Sequence, residues 1–319
     1  MLKWNKKGRI FDPEIHGKYD WMQEYGQLPI PFELDENTIR IYFSTRPNRD
    51  GNLQYVSRTG YIDVEKNNMS NIINISKEPV LDLGQPGTFD EFGSMASTVL
   101  RHNNKVYAYY TGWSRLSTVP YTMAIGLAIS EDNGSTFKKI GEGPIISTSV
   151  KEPYLSSGPI VKVVDDIWHM WYLNGLKWIQ HENKFEPVYK IVHATSKNGI
   201  DWNRDAIPII ESKFKDECQV SFAMFNKWNK WNAIFAYRKP VDFRHNSEAS
   251  YRLGYASSID LVSWLRDDKQ IDFCVSETGW DSEMIAYPQI FVMDSKIYLF
   301  YCGNNFGQNG FGYAILEDN

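Results

Sequence analysis

Carboxylates recur at one kind of position along this chain. DWMQEYGQ (20–27), FDEFGSM (89–95), KEPYLSS (151–157), KDECQVS (215–221) and GWDSEMIAY (279–287) each lead into an apolar run. Each holds an acid: Glu24, Asp90 or Glu91, Glu152, Glu217 and Glu283. Paired carboxylates are the usual tools of glycosidic-bond cleavage, one protonating the leaving oxygen while the other activates water or attacks the sugar. Asp90, Glu217 and Glu283 are the leading catalytic candidates. Asp90 lies in the FDEFG turn, and Glu217 and Glu283 each stand four residues before the start of the inner run proper, at Ser221 and Tyr287. A second set of positions, downstream of later apolar runs, is basic and aromatic: Arg46, Arg49, Trp113, Arg115, Lys177, Trp178, Arg238, Arg244 and His245, with Asn304. A guanidinium fork clamps carboxylate or phosphate, and a tryptophan face covers the C–H face of a sugar. The expected substrate-binding residues are Arg46, Trp113, Trp178, Arg238, His245, Tyr287 and Asn304. No metal ligand set and no cofactor motif is expected. Cys218, Cys274 and Cys302 are too widely spaced for a zinc knuckle or a disulfide framework.

Such groups act together only if a scaffold converges them, and the scaffold is written as a repeat. NTIRIYFSTR (37–46), NKVYAYYTGW (104–113), DIWHMWYLNG (166–175), KWNAIFAYRK (230–239) and SKIYLFYCGN (295–304) read as strands, here called B. An apolar strand A precedes each, at 28–34, 95–101, 157–163, 220–226 and 286–292. Polar turns at Asp35-Glu36, His102-Asn103, Asp165-Asp166, Lys227-Trp228-Asn229 and Asp294-Ser295 join A to B. A strand C follows, at 53–62, 122–130, 189–196, 251–258 and 310–316. SEDNGSTF (130–137), SKNGIDW (196–202) and SSIDLVSW (258–264) are Asx-type turns into an outer strand D, expected to end near Ile146, Ile210 and Ile271.

Five such units predict an all-β chain: a single five-bladed β-propeller domain, residues 1–319, with four-stranded antiparallel blades. The fifth unit ends at Leu316 with no room for strand D. WNKKGRIF (4–11) resembles the other D segments, FKKIGEGPII and WNRDAIPII, so the N-terminal strand is expected to close the last blade. In a propeller the segments before the A strands and after the B strands share one face. The acids and bases singled out above therefore meet at one mouth.

Composition narrows the partners. The 319 residues carry a net charge of -5 without a basic run, which excludes a nucleic-acid backbone as the natural partner. Nothing approaches the ~18 apolar residues of a membrane span, and the N-terminus lacks the apolar core of a secretory signal. A cytoplasmic setting is the expectation. Aromatics reach 15%, more than strand packing alone asks for, and leave a handful for a ligand. A carbohydrate or sugar phosphate is the expected partner.

The repeat with its S-x-D/N-G-x-x-W/F turns resembles the five-bladed glycosidase superfamily, which includes glycoside hydrolase families 32, 43 and 130. DLGQPGTFDEFG (82–93), YRLGYASS (251–258), GWDSEMIAYP (279–288) and YCGNNFGQNGFGYAILE (301–317) look like bacterial glycosidase-like propellers of unassigned activity. The SEDNGSTF turn is also similar to a sialidase Asp-box. The resemblance implies cleavage of a glycosidic bond by hydrolysis or phosphorolysis, and the basic loops point to an anionic or phosphorylated sugar. A step in surface-polysaccharide biosynthesis and sugar binding without turnover are the alternatives. There is one departure. Family 43 keeps acids beside the prolines that start its A strands, whereas alignment on Pro31, Pro159 and Pro288 puts Ile30, Ala96, Gly158, Ser221 and Tyr287 there.

Overall fold

Two-residue polar turns make the hairpins. In the computed structural model, which describes residues 1–51 and 54–317, both central residues have positive φ at Asn103-Asn104, Asp165-Asp166, Trp228-Asn229 and Asp294-Ser295. That is type I′ geometry, whose twist matches the twist of the strands it joins. In the second unit the turn falls one residue later than the sequence suggests, because His102 pairs with Lys105.

The hairpins grow into five sheets arranged in a ring. Blade 1 comprises A Glu24–Glu33, B Thr38–Arg46, C Arg58–Glu65 and D Asn68–Ile75. Its C strand starts later than expected, and Leu53 of the expected segment lies outside the described residues. Blades 2, 3 and 4 begin with inner strands Gly93–His102, Ser156–Val164 and Cys218–Lys227. Their outer strands are short: Lys138–Lys139, Asn203–Pro208 and Leu265–Arg266. Blade 5 takes Ala286–Met293, Lys296–Cys302 and Phe311–Leu316, then closes on Leu2–Phe11.

The closure is as expected. Trp4 pairs with Leu316 and Phe11 with Phe311, antiparallel. Trp4, Ile10 and Phe11 are buried. One expectation about the outer strands fails: Ile271 does not end the D strand of blade 4. Ile271–Asp272 instead lies parallel to Leu2–Lys3 as a fifth strand at the rim of blade 5. The chain thus covers the edge that the N-terminal strand would otherwise expose.

The apolar core sits between blades rather than on the axis. Phe11, Phe43, Phe300 and Phe311 fill the gap between blades 5 and 1, and Tyr109, Trp168 and Met170 that between 2 and 3. The Asx turns lock neighbours together. The Tyr42 hydroxyl of blade 1 donates to the Gly134 carbonyl, and the Tyr109 hydroxyl of blade 2 to that of Gly199. A Cβ on Gly134 would stand 2.2 Å from the Tyr42 oxygen, and its φ is +82°, so only glycine fits.

Every inner strand carries a β-bulge near its start. Register shifts fall between Gln27 and Ile30, Ala96 and Thr98, Ser157 and Ile160, Val220 and Phe222, and Ala286 and Gln289. Leu28, Gly158, Ser221 and Tyr287 have positive φ there. A bulge re-aims side chains and is favoured beside active sites. The counterpart of Gly158-Pro159 and Tyr287-Pro288 in blade 1 is therefore Leu28-Pro29, not Ile30-Pro31. Still no bulge residue is acidic.

Candidate active site

The bulges and the loops after the B strands enclose a cavity of about 810 Å³ at one end of the axis. One wall is raised by blade 3, whose middle strands Ile167–His181 and Lys184–Ser196 run past the sheet as a long hairpin. The hairpin leans on Tyr121 through Trp178, with ring centroids 5.3 Å apart. It is clasped to the blade 4 loop by Glu186–Arg244, with Nε to Oε1 at 3.1 Å and Nη2 to Oε2 at 3.2 Å. Aromatic rings supply much of the lining: Tyr25, Tyr55, Trp113, Tyr121, Tyr189, Phe243, Tyr251, Tyr287 and Phe306.

The charged lining is cationic. Arg46, Arg49, Lys184, Arg238 and Arg244 face Glu186 as the single carboxylate among the described lining residues. Arg46 lies over the rings of Tyr25 and Tyr55, 4.3 and 4.6 Å from their centroids. Its Nη2 donates to Gln27 Oε1 at 3.1 Å, while its buried Nε has no partner among the described residues. Burial pushes this guanidinium below the ordinary arginine range, the mark of a charge that lacks a counter-ion. Arg238 is only 3% exposed, and all its hydrogen bonds go to neutral oxygens. Nε donates to the Tyr251 hydroxyl and Nη2 to the Tyr189 hydroxyl, both at 3.1 Å, and the remaining bonds reach the carbonyls of Lys239, Pro240 and Pro187. Neither arginine has an ion-pair partner among the described residues. The Tyr189 and Tyr251 hydroxyls also hydrogen-bond to each other. Burial raises both phenols above their ordinary range, against the lowering effect of Arg238. Burial likewise holds Tyr25 and Tyr121 at about 12. These hydroxyls are therefore protonated at neutral pH.

Of the expected substrate-binding residues, Arg46, Trp113, Arg238 and Tyr287 line this cavity, and so do Arg49 and Arg244 of the wider basic set. Trp178 stands behind Tyr121. Asn304 is spent on the loop before blade 5: its Oδ1 accepts from the backbone N–H of Glu283 and Met284, at 2.7 and 3.1 Å. His245 is exposed and away from the lining, as is Glu283.

Asp90 and Glu217 also stand outside the lining, and a recurring geometry explains why. Asp90 accepts from the Tyr110 hydroxyl at 3.0 Å and from Lys139 Nζ at 2.6 Å. In blade 3, Glu152 accepts from Tyr172 at 2.6 Å and from Arg204 at 3.0 Å. In blade 5, Asp281 accepts from Tyr301 at 3.0 Å and from Lys6 at 2.7 Å. Glu217 in blade 4 pairs with Arg266 at 2.8 Å and with Gln219, because the tyrosine position there is Phe235. Asp90, Glu152 and Asp281 thus tie the segment before strand A to strand B and to a base on strand D, and Glu217 ties it to the strand D base alone. An acid before every A strand, legible as a repeat, marks a pin between strands in four of the blades.

The sequence reading missed Glu186, Tyr189 and Tyr251 as site residues. Tyr251 opens the YRLGYASS segment and so carried a weak signal. Glu186 carried none, since it enters only because the blade 3 hairpin outgrows its sheet.

No protein-family model matches the chain. The uncharacterized protein MT1551 of Mycobacterium tuberculosis is 32% identical over 318 residues, covering 99% of this chain and 100% of that protein. The 1,2-beta-oligomannan phosphorylase of a Thermoanaerobacter species is 25% identical over 201 residues, 62% of this chain and 59% of that one. A solved glycoside hydrolase superposes with a TM-score of 0.74 at 17% identity, covering 99% of this chain and 92% of its own. A structure described as showing that the GH130 family of mannoside phosphorylases contains glycoside hydrolases targeting beta-1,2 mannosidic linkages in Candida mannan has a TM-score of 0.64 at 15% identity, with 98% and 93% covered. The chain belongs to the family of MT1551 and shares the five-bladed β-propeller fold of these glycoside hydrolase structures.

Proposed function

We propose that this protein is a carbohydrate-active enzyme that cleaves a glycosidic bond with phosphate as the attacking group, Arg46 and Arg238 holding the anion. The observation that carries this reading is a pair of arginines without carboxylate partners among the described residues, in an aromatic-walled cavity. Hydrolysis uses two carboxylates about 5–9.5 Å apart, one of them to activate water or to attack. Among the described residues Glu186 is the only carboxylate lining this cavity, and Arg244 occupies both its oxygens. Phosphate is already anionic and needs no base. An arginine fork would orient it and offset its charge as it approaches the anomeric carbon. The C–O bond to the leaving sugar breaks, the C–O bond to phosphate forms, and the leaving oxygen takes one proton. Tyr251 is the donor we assign: it is a protonated phenol beside Arg238, whose cation stabilises the phenolate left behind. The likeness to an oligomannan phosphorylase supports the same reaction class.

The test runs the reaction in the synthetic direction. A panel of sugar 1-phosphates, mannose 1-phosphate first, is offered with sugar acceptors, and released inorganic phosphate is measured. Phosphate release with a new glycosidic bond is expected. Cleavage of oligosaccharides at a rate independent of phosphate would overturn the reading. Sugar binding without turnover is the second reading, favoured by the pairing of Glu186 with Arg244, and calorimetric binding with no product in either direction would establish it.

A further inference from the structure

The opposite end of the axis holds a second cavity, of about 690 Å³. It is framed by the A–B turns and by the far halves of the inner strands. Ile30, Ile160, Ala223, Met224 and Ile290 give it apolar walls. The polar groups around it are nearly all engaged. Thr98 Oγ1 donates to the Pro159 carbonyl and accepts from Val161 N–H. Gln289 Nε2 donates to the Ser97 carbonyl, Arg101 to Asn133, and the His102 ring bonds the Asn103 amide.

Lys162 is the exception. It extends from the inner strand of blade 3 into this cavity, half-buried. It has no ion pair and no side-chain hydrogen bond among the described residues. Asp165 and Asp166 stand exposed on the turn beyond it, and neither pairs with it. Across the sheet it faces His169, whose Nδ1 is committed to His193 at 3.0 Å. Burial pushes the Lys162 ammonium below the ordinary lysine range, with no nearby charge acting either way. Such a depression raises the share of neutral amine at pH 7. That neutral form, in an apolar cavity open to small molecules, is a nucleophile.

We propose that Lys162 is a carbonyl-capturing site, taking small aldehydes, the open-chain form of a reducing sugar among them, as an imine. The amine nitrogen attacks the carbonyl carbon and a C=N bond replaces C=O. The carbonyl oxygen leaves as water with the two protons from nitrogen. No oxidant or reductant is consumed. This site is separate from the arginine-lined cavity and does not rest on the function proposed for it.

The test uses the full chain at pH 7 with glycolaldehyde and sodium cyanoborohydride, which reduces an imine to a stable secondary amine. Labelled peptides are followed over time by mass spectrometry. Lys162 should be labelled about tenfold faster than the exposed Lys7 and Lys197. Lys190 is the internal control: burial lowers it too, but it is 6% exposed and bonded to Ser212 rather than open to a cavity. It should stay unlabelled. Lys162→Arg should remove the fast label and leave the slow ones. Labelling of Lys162 no faster than that of Lys7 would overturn the proposal, and this ranking in the unaltered protein decides the matter even if the variant does not fold.

Discussion

Arg238 donates its Nε proton to the Tyr251 hydroxyl at 3.1 Å, and every other acceptor it finds is also neutral. A buried cation satisfied by phenols and carbonyls is hydrogen-bonded but not charge-balanced. An anionic ligand completes it. Arg46→Ala and Arg238→Ala should each weaken phosphate binding about 10–100-fold, since charged hydrogen bonds contribute about 1.5–3 kcal/mol. Calorimetry with phosphate measures this, and unchanged affinity in both variants would remove the anion from the reading.

Tyr251→Phe separates proton donation from packing. A lost general acid costs about 10²–10⁴-fold in rate, but only where the leaving group needs the proton. The variant should lose that much on a natural sugar leaving group and far less on a dinitrophenyl glycoside, whose leaving group departs unaided. An equal loss on both would assign Tyr251 a structural role while leaving phosphate-dependent cleavage by the parent enzyme intact.

The interstrand pins predict a split between stability and activity. Asp90→Asn leaves Lys139 without its counter-charge and should cost about 3 kcal/mol. That is the low end for breaking a buried pair, because Lys139 stays 18% exposed. Glu283→Gln, on an exposed side chain, should shift stability by no more than about 0.5 kcal/mol. Urea denaturation compares the two, and an unchanged midpoint for Asp90→Asn would dissolve the pin.

Removing residues 1–12 should destabilise the chain by several kcal/mol. It takes away the closing strand and the buried Trp4, Ile10 and Phe11, each contributing roughly 1.5–3 kcal/mol. It also uncovers the Phe311–Leu316 edge, so aggregation on heating is expected. A melting temperature equal to that of the full chain would contradict the closure.

Asp260 offers a pH test. The backbone N–H groups of Ser263 and Val262, with the Ser258 hydroxyl, hold its carboxyl down at about 2. Its folded value lies below the unfolded one of about 3.9. The stabilisation is therefore full above about pH 4 and is lost as pH falls towards 2. Asn198 fills the equivalent turn of blade 3 with the same backbone bonds. Asp260→Asn keeps those bonds without the charge, so it should be less stable than the parent at pH 7, approach it near pH 2, and show a flatter acid dependence between pH 4 and 2. An acid limb as steep as the parent's would reassign that dependence to other carboxylates.

The blades were legible in the sequence because hairpin turns and alternating strands are local chemistry. Asp165-Asp166 declares its turn within two residues, and SEDNGSTF its Asx turn within eight. Even the closure by WNKKGRIF was readable, because an outer strand has the same pattern whichever end of the chain supplies it. The loops' charge was legible too, and Arg46, Trp113, Arg238 and Tyr287 do meet at the cavity. The direction in which a carboxylate points was not. Asp90 and Glu217 look like catalytic acids until Lys139 and Arg266, 49 residues further along the chain in each case, arrive from strand D to bind them. Whether a charge is free or paired depends on partners far away in sequence, so only the packed blades decide it. The same holds for Glu186, carried to the mouth by a hairpin longer than its sheet, and for Lys162, which no distant carboxylate among the described residues comes to meet.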